Sequence, residues 1–164
     1  MLCHYHGAVD TPETSVLGDP RDDDLALGLL LATAHFNSRE RLGERLRPFG
    51  IEVRHFGVLS ALHRHGPTSQ RHLSELLDLD KSAMVRIMDE LERSGLAARN
   101  RAAHDRRAYA IELTADGRER LRSAQAEAAT VGREVFGWLR PADRERLVGL
   151  LEELVARTEP SSPG

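Results

Sequence analysis

Residues 69–114 read SQRHLSELLDLDKSAMVRIMDELERSGLAARNRAAHDRRAYAIELT, and this stretch decides the fold. Leu73, Leu76 and Leu77 recur at i, i+3, i+4, the spacing of one apolar helix face, and Thr68 or Ser69 is placed to cap that helix. Asp78-Leu79-Asp80 makes a turn, after which Asp80 or Ser82 caps a second helix running to about Ser94. Ala83, Met84, Ile87, Met88 and Leu91 face inward on it, and Gly95 is its stop. Leu96 to Arg99 and Tyr109 to Leu113 alternate as short strands, with Tyr109, Ile111 and Leu113 on one face and Arg101 to Arg107 as the loop between them. The stretch is a helix, a turn, a helix and a hairpin: a helix-turn-helix with a wing.

Packing the second helix by that stripe leaves Lys81, Ser82, Val85, Arg86, Asp89 and Glu90 for solvent or a partner. The set suits the major groove of DNA. Arg holds guanine bidentately, Ser and Lys meet phosphates, and Val methyls meet thymine. The wing loop adds Arg101, Arg106 and Arg107, whose mutual repulsion favours a polyanion as counterpart, and an Arg at a hairpin tip fits a narrow minor groove. Asp105 is placed to orient a neighbouring guanidinium. A net charge of −3 opposes nucleic-acid binding when taken as a sum. Its distribution does not: residues 64–107 carry nine basic and seven acidic side chains, a local +2, which leaves −5 for the rest.

Outward from this stretch, residues 1–22 have neither helical nor strand periodicity and are expected to form a loose arm. Asp22, Asp23 and Asp24 suit a helix N-terminus. The helix that follows, about Leu25 to Leu46, carries Leu27, Leu30, Leu31 and Ala34 as its stripe and stops at Pro48 and Gly50. The next helix, about Glu52 to His65, is expected to bury Phe56, Leu59 and Leu62 before Gly66-Pro67 ends it. Beyond the wing, Thr114 caps a long helix with Leu121, Ala124, Ala128, Val131, Val135 and Trp138 at three- and four-residue steps. Pro141 opens a last helix striped by Leu147, Leu150, Leu151 and Leu154. These helices bury little against a small winged domain, so a second copy of the chain is the economical cover. The expected organisation is an arm to residue 22, a dimerisation helix over 23–50, the winged domain over 51–114, C-terminal dimerisation helices over 115–158 and a tail over 159–164.

Composition excludes several classes. The longest apolar run of the first helix, Leu25 to Ala34, is too short to span a bilayer, and the chain start lacks the pattern of a secretory signal. The single cysteine, Cys3, forms no disulfide within the chain, which agrees with a reducing compartment, so a cytoplasmic location is expected. No G-x-S-x-G, H-E-x-x-H, C-x-x-C or Gly-rich phosphate loop occurs, so neither an enzyme nor a cofactor is expected. No metal site is expected either: His63 and His65 diverge by about 200° on a helix, and His4 and His6 lie in the arm.

The helix-turn-helix spacing, DKSAMVRIMDELERSGL, and Asp105-Arg106-Arg107 followed by Ile111-Glu112-Leu113-Thr114 and Gly117 resemble the MarR (multiple antibiotic resistance regulator) family of winged helix-turn-helix transcription factors, over about residues 25 to 157. The resemblance implies a mainly α fold with a small β-hairpin wing and terminal helices that intertwine two chains as a homodimer. It implies that Ser82, Val85 and Arg86, with Lys81, read the major groove. Arg107 of the wing motif is then expected in the minor groove, with Asp105 bracing the wing and Arg106 on phosphate. Ser69 and Gln70 would begin the supporting helix, whose amides face a phosphate. Glu52 departs from the Thr or Ser that often caps the second helix in this family. The family often binds small aromatic anions, and His35, Arg39, His55 and Phe56 have suitable chemistry, but no ligand site is assigned from the sequence. The expected function is a repressor that binds a pseudo-palindromic stretch of double-stranded DNA as a homodimer and responds to a small effector. The alternatives are a winged protein-interaction module without specific DNA binding, or a metal- or redox-responsive regulator of the same fold.

Overall fold

The computed structural model describes residues 19, 21, 23–102 and 105–158, and of 102 and 105–108 only the backbone. The helices are α1 (Asp24–Leu46), α2 (Val53–His65), α3 (Gln70–Leu76), α4 (Lys81–Arg93), α5 (Ala115–Phe136) and α6 (Pro141–Thr158), with the strands β1 (Ala97–Ala102) and β2 (Asp105–Leu113) between α4 and α5. This is a winged helix-turn-helix. The chain divides into two compact units within α1, between Glu40 and Arg41. No helix among the described residues is long and apolar enough to cross a membrane.

In the first unit, Asp23 of the acidic run supplies the cap of α1, its Oδ1 accepting from the Leu25 amide at 2.8 Å. Leu27 and Leu30 of the expected stripe are exposed there, as are Leu25, Leu29 and Phe36.

The second unit holds the core. α1 ends in a single 3-10 turn, Arg47–Phe49, closed by Gly50 in the left-handed region at φ 66°. Glu52 caps α2 after all: its side chain accepts from the His55 amide while its own amide donates to His55 Nδ1 at 3.0 Å, a reciprocal box with histidine in the partner's place. α2 buries a wider face than expected, since His55, Val58, Leu59 and Leu62 follow i, i+3, i+4, i+7 while Phe56 is only half-buried. Those side chains meet Leu73 of α3 and Met84, Ile87, Met88 and Leu91 of α4, joined by Leu96, Ala97, Ile111 and Leu113 at the base of the wing.

The turn between α3 and α4 places Asp78 at φ 48°, a conformation that Asp tolerates better than most residues. α4 ends in a Schellman motif, with the Leu96 amide donating to the Leu91 carbonyl at 2.9 Å and the Gly95 amide to Glu92 at 2.9 Å, Gly95 lying at φ 70°. The strands reach further than the sequence predicts: pairing runs from Ala97↔Leu113 out to Arg101↔Tyr109 and, past a bulge, Ala102↔Asp105. Pairing thus extends into the stretch expected as an Arg-rich loop, at Arg101, Ala102 and Asp105, because ladder bonds are indifferent to charged side chains on a solvated strand. Thr68 adds a one-residue bridge to Ile111, with bonds of 3.0 and 2.7 Å, and so fastens the α2–α3 connection to the wing.

Thr114 caps α5 by accepting from the Gly117 amide at 2.9 Å and reaches back to donate to the Gly95 carbonyl at 2.6 Å. The first half of α5 belongs to the winged core through Leu121 and Ala124, whereas α6 buries no residue at all. Gly117 explains its place in the motif. A Cβ there would lie 1.9 Å from the Leu96 carbonyl oxygen, which the fold cannot move without breaking the Schellman corner. Gly117→Ala is expected to destabilise the chain by about 1–3 kcal/mol, the usual cost of overpacking, measured by denaturant unfolding. Gly132→Ala, whose Cβ would meet nothing within 4 Å, is the control and is expected to be neutral or stabilising.

Candidate nucleic-acid interface

α4 presents the candidate reading face. Met84, Ile87, Met88 and Leu91 are buried, which turns Lys81, Ser82, Val85, Arg86 and Asp89 outward, all exposed. Asp80 starts the helix, its Oδ1 accepting from the Ala83 amide at 2.8 Å and from the Ser82 hydroxyl at 2.6 Å. These bonds, the Ser82 hydroxyl first, hold the Asp80 carboxyl below its ordinary range. Ser82 thus keeps an exposed oxygen on the reading side while its proton serves the cap. Ser69 is the cap of α3, accepting from the His72 amide at 3.1 Å, and Gln70 follows it half-buried.

Glu90 departs from the expected outward set. It is half-buried, and its Oε2 lies 2.7 Å from His55 Nε2 and 3.6 Å from an Arg54 nitrogen, so this carboxylate joins α4 to α2. On the helical wheel it sits at the margin of the reading face, where the neighbouring helix decides between solvent and contact. His55, a candidate for an effector site on chemistry alone, is committed on both ring nitrogens. Because Nδ1 accepts from the Glu52 amide, Nε2 carries the proton and donates to Glu90. His35 and Arg39 are exposed on the first unit's part of α1.

Arg99 is the residue that sequence reasoning passed over. It is one of the nine basic side chains of residues 64–107, yet only 29% of its side chain is exposed and both Nη nitrogens donate to protein acceptors. Its Nη1 and Nη2 both donate to Asp89 Oδ1 at 3.2 Å, Nη1 also to Glu92, and Nη2 to Gln70 Oε1 at 3.4 Å. Its own amide donates to Glu92 Oε1 at 3.0 Å. A signal was present: strand alternation puts Arg99 on the same face as Ala97, opposite Ile111, where a charge needs a partner, and Asp89 and Glu92 stand at i, i+3 on the helix behind.

The wing carries Arg101, exposed opposite Tyr109. The backbone of Asp105, Arg106 and Arg107 is strand, while their side chains lie outside the described residues.

Residues 49–108 match the model of the MarR family. Over those residues the chain is similar to the MarR family. It is 27% identical over 148 residues to a protein of Thauera aromatica described as a transcriptional regulatory protein for the hcr operon, a match that covers 84% of this chain and 89% of that one. CouR from Rhodococcus jostii, solved with p-coumaroyl-CoA bound, is 25% identical and superposes with a TM-score of 0.74 over 84% of this chain and 95% of its own. A cysteine-to-serine mutant of MarR from E. coli, solved with operator DNA, shares the fold at a TM-score of 0.75 and 22% identity, covering 84% and 99% of the two chains. The chain is thus similar, over most of its length, to a transcriptional regulatory protein.

The Glu90 link sets an acid dependence. The His55 hydrogen bond first, and then the Arg54 guanidinium, hold the Glu90 carboxyl below the usual glutamate range. A depressed folded value contributes stability above the unfolded value of about 4.3 and loses it as pH falls through the folded one. Stability followed by urea titration is expected to decline as pH drops below that value, and Glu90→Gln to start lower at neutral pH and decline less steeply.

Proposed function

We propose that this chain is a MarR-type repressor that binds a pseudo-palindromic operator as a homodimer and is released from it by a small ligand. The observation that carries the reading is the phase of α4: four buried apolar residues force Lys81, Ser82, Val85 and Arg86 to the outside at the N-terminal half of the helix, the part that meets base edges in a major groove. Arg86 is assigned to a guanine edge, Val85 to a thymine methyl, and Lys81 and Ser82 to phosphates. Ser69 and Gln70 at the start of α3 meet the backbone of the DNA. In the wing, Arg107 enters the minor groove, Arg106 meets phosphate, and Asp105 braces the guanidinium. The operator-bound relative of the same fold supports this arrangement.

The homodimer rests on uncovered apolar surface. α6 leaves Val148, Leu150, Leu151, Leu154 and Val155 exposed, α1 leaves Leu25, Leu27, Leu30 and Phe36 exposed, and Trp138 is 78% exposed. Surface of this kind marks an association face in a folded chain. Two reading heads so joined meet half-sites about 34 Å apart, one turn of DNA. The ligand proposal is supported by the coumaroyl-CoA complex of CouR, which makes an aromatic acyl compound the class to try first. Such a ligand acts by stabilising the dimer geometry that binds DNA less well.

Selection of bound sequences from random DNA is expected to return an inverted repeat. Recovery of no sequence, with no dependence of affinity on salt, would favour a protein-interaction module instead. On the selected operator, Arg86→Ala and Arg107→Ala are each expected to weaken binding by roughly ten- to a hundredfold, read by mobility shift, with thermal stability unchanged. In sedimentation, Leu151→Glu combined with Leu154→Glu is expected to convert dimer to monomer; a dimer that survives both changes places the interface elsewhere.

A further inference from the structure

Resting on the reading of α4 as the DNA-binding helix, we propose that Arg99 is a positioning residue of the DNA-binding face: it holds the wing strand and Gln70 in register with α4 and does not itself contact DNA. Arg99 stands where the inner face of β1 leaves the core, with buried Ala97 on one side and exposed Arg101 on the other. Its four Nη hydrogens are all directed to protein acceptors, Asp89 and Glu92 on α4 and Gln70 on α3, which leaves only Nε without a recorded bond. Little of the group remains to meet a phosphate.

Three consequences follow for the binding face. The fork ties β1 to two successive outward turns of α4, so the direction of the wing is referred to the recognition helix. It fixes Gln70 through Oε1, which leaves the Gln70 amide nitrogen free to turn toward a phosphate. It also holds the Asp89 carboxylate, exposed on the reading side, in one orientation. Lysine cannot replace it, because a point charge on a flexible stem does not reach three separated acceptors with fixed geometry.

The test uses the full chain and the operator fragment that it selects from random DNA. Arg99→Lys and Arg99→Ala are expected to lose specific affinity by roughly tenfold, within the range by which members of one network couple. Nonspecific affinity and the slope of log affinity against log salt should stay at their wild-type values. Because α4 is tied to Arg99 through Asp89, the double variant Asp89→Asn with Arg99→Ala should bind about as well as Arg99→Ala alone. Measurements below the melting transition of every variant separate this from unfolding, which would reduce specific and nonspecific binding together and would overturn the proposal. A salt slope lower by about 0.9 would also overturn it, since that is the loss of one direct phosphate contact. Wild-type affinity in Arg99→Lys would do the same. If the wild-type chain selects no sequence, the DNA-binding reading itself fails, and the proposal with it.

Discussion

Burial of one stripe on α4 is the constraint on which the rest depends. Met84, Ile87, Met88 and Leu91 are almost wholly removed from solvent, and each such side chain is worth about 1.5–3 kcal/mol. Turning the helix by one residue would bring Lys81, Arg86 or Asp89 toward the core and expose part of that stripe. The reading face is therefore set by hydrophobic packing on the opposite side of the helix. No interaction among Lys81, Ser82, Val85 and Arg86 themselves is needed to point them outward.

The second fixed element is the corner where α4 ends, the wing begins and α5 starts. Gly95 in a left-handed conformation closes α4, Leu96 returns a bond to Leu91, and Thr114 bonds Gly95 while capping α5. Gly117 lets α5 lie directly on the Leu96 carbonyl. Through this corner α4, the base of the wing and the start of α5 are directly bonded to one another.

Charge in this domain is divided between structure and surface. Glu90 and Glu92 stand on the same helix as Lys81 and Arg86, yet both are turned to protein partners, His55 with Arg54 in one case and Arg99 in the other. The modest local excess of basic residues therefore understates the contrast between faces. Acidic groups are consumed where α4 meets α2 and β1, and Lys81, Arg86 and Arg101 are left exposed.

The sequence by itself determined where the helices lie, the caps of α3, α4 and α5, and the phase of α4. Apolar period, Asp80, Ser69 and Thr114 as caps and Gly95 as a stop all act over four residues or fewer, so they can be read along the chain. The outward placement of Lys81, Ser82, Val85 and Arg86 was legible for the same reason. Only the tertiary structure decided the fate of residues at the margins. Glu90 became an internal partner because α2 brings His55, 35 positions away in sequence, to 2.7 Å. Arg99 became a half-buried fork because α3 and α4 converge on β1, and pairing across the hairpin reaches into the Arg-rich stretch at Arg101, Ala102 and Asp105. Such contacts depend on which elements pack together, and local periodicity carries no record of them.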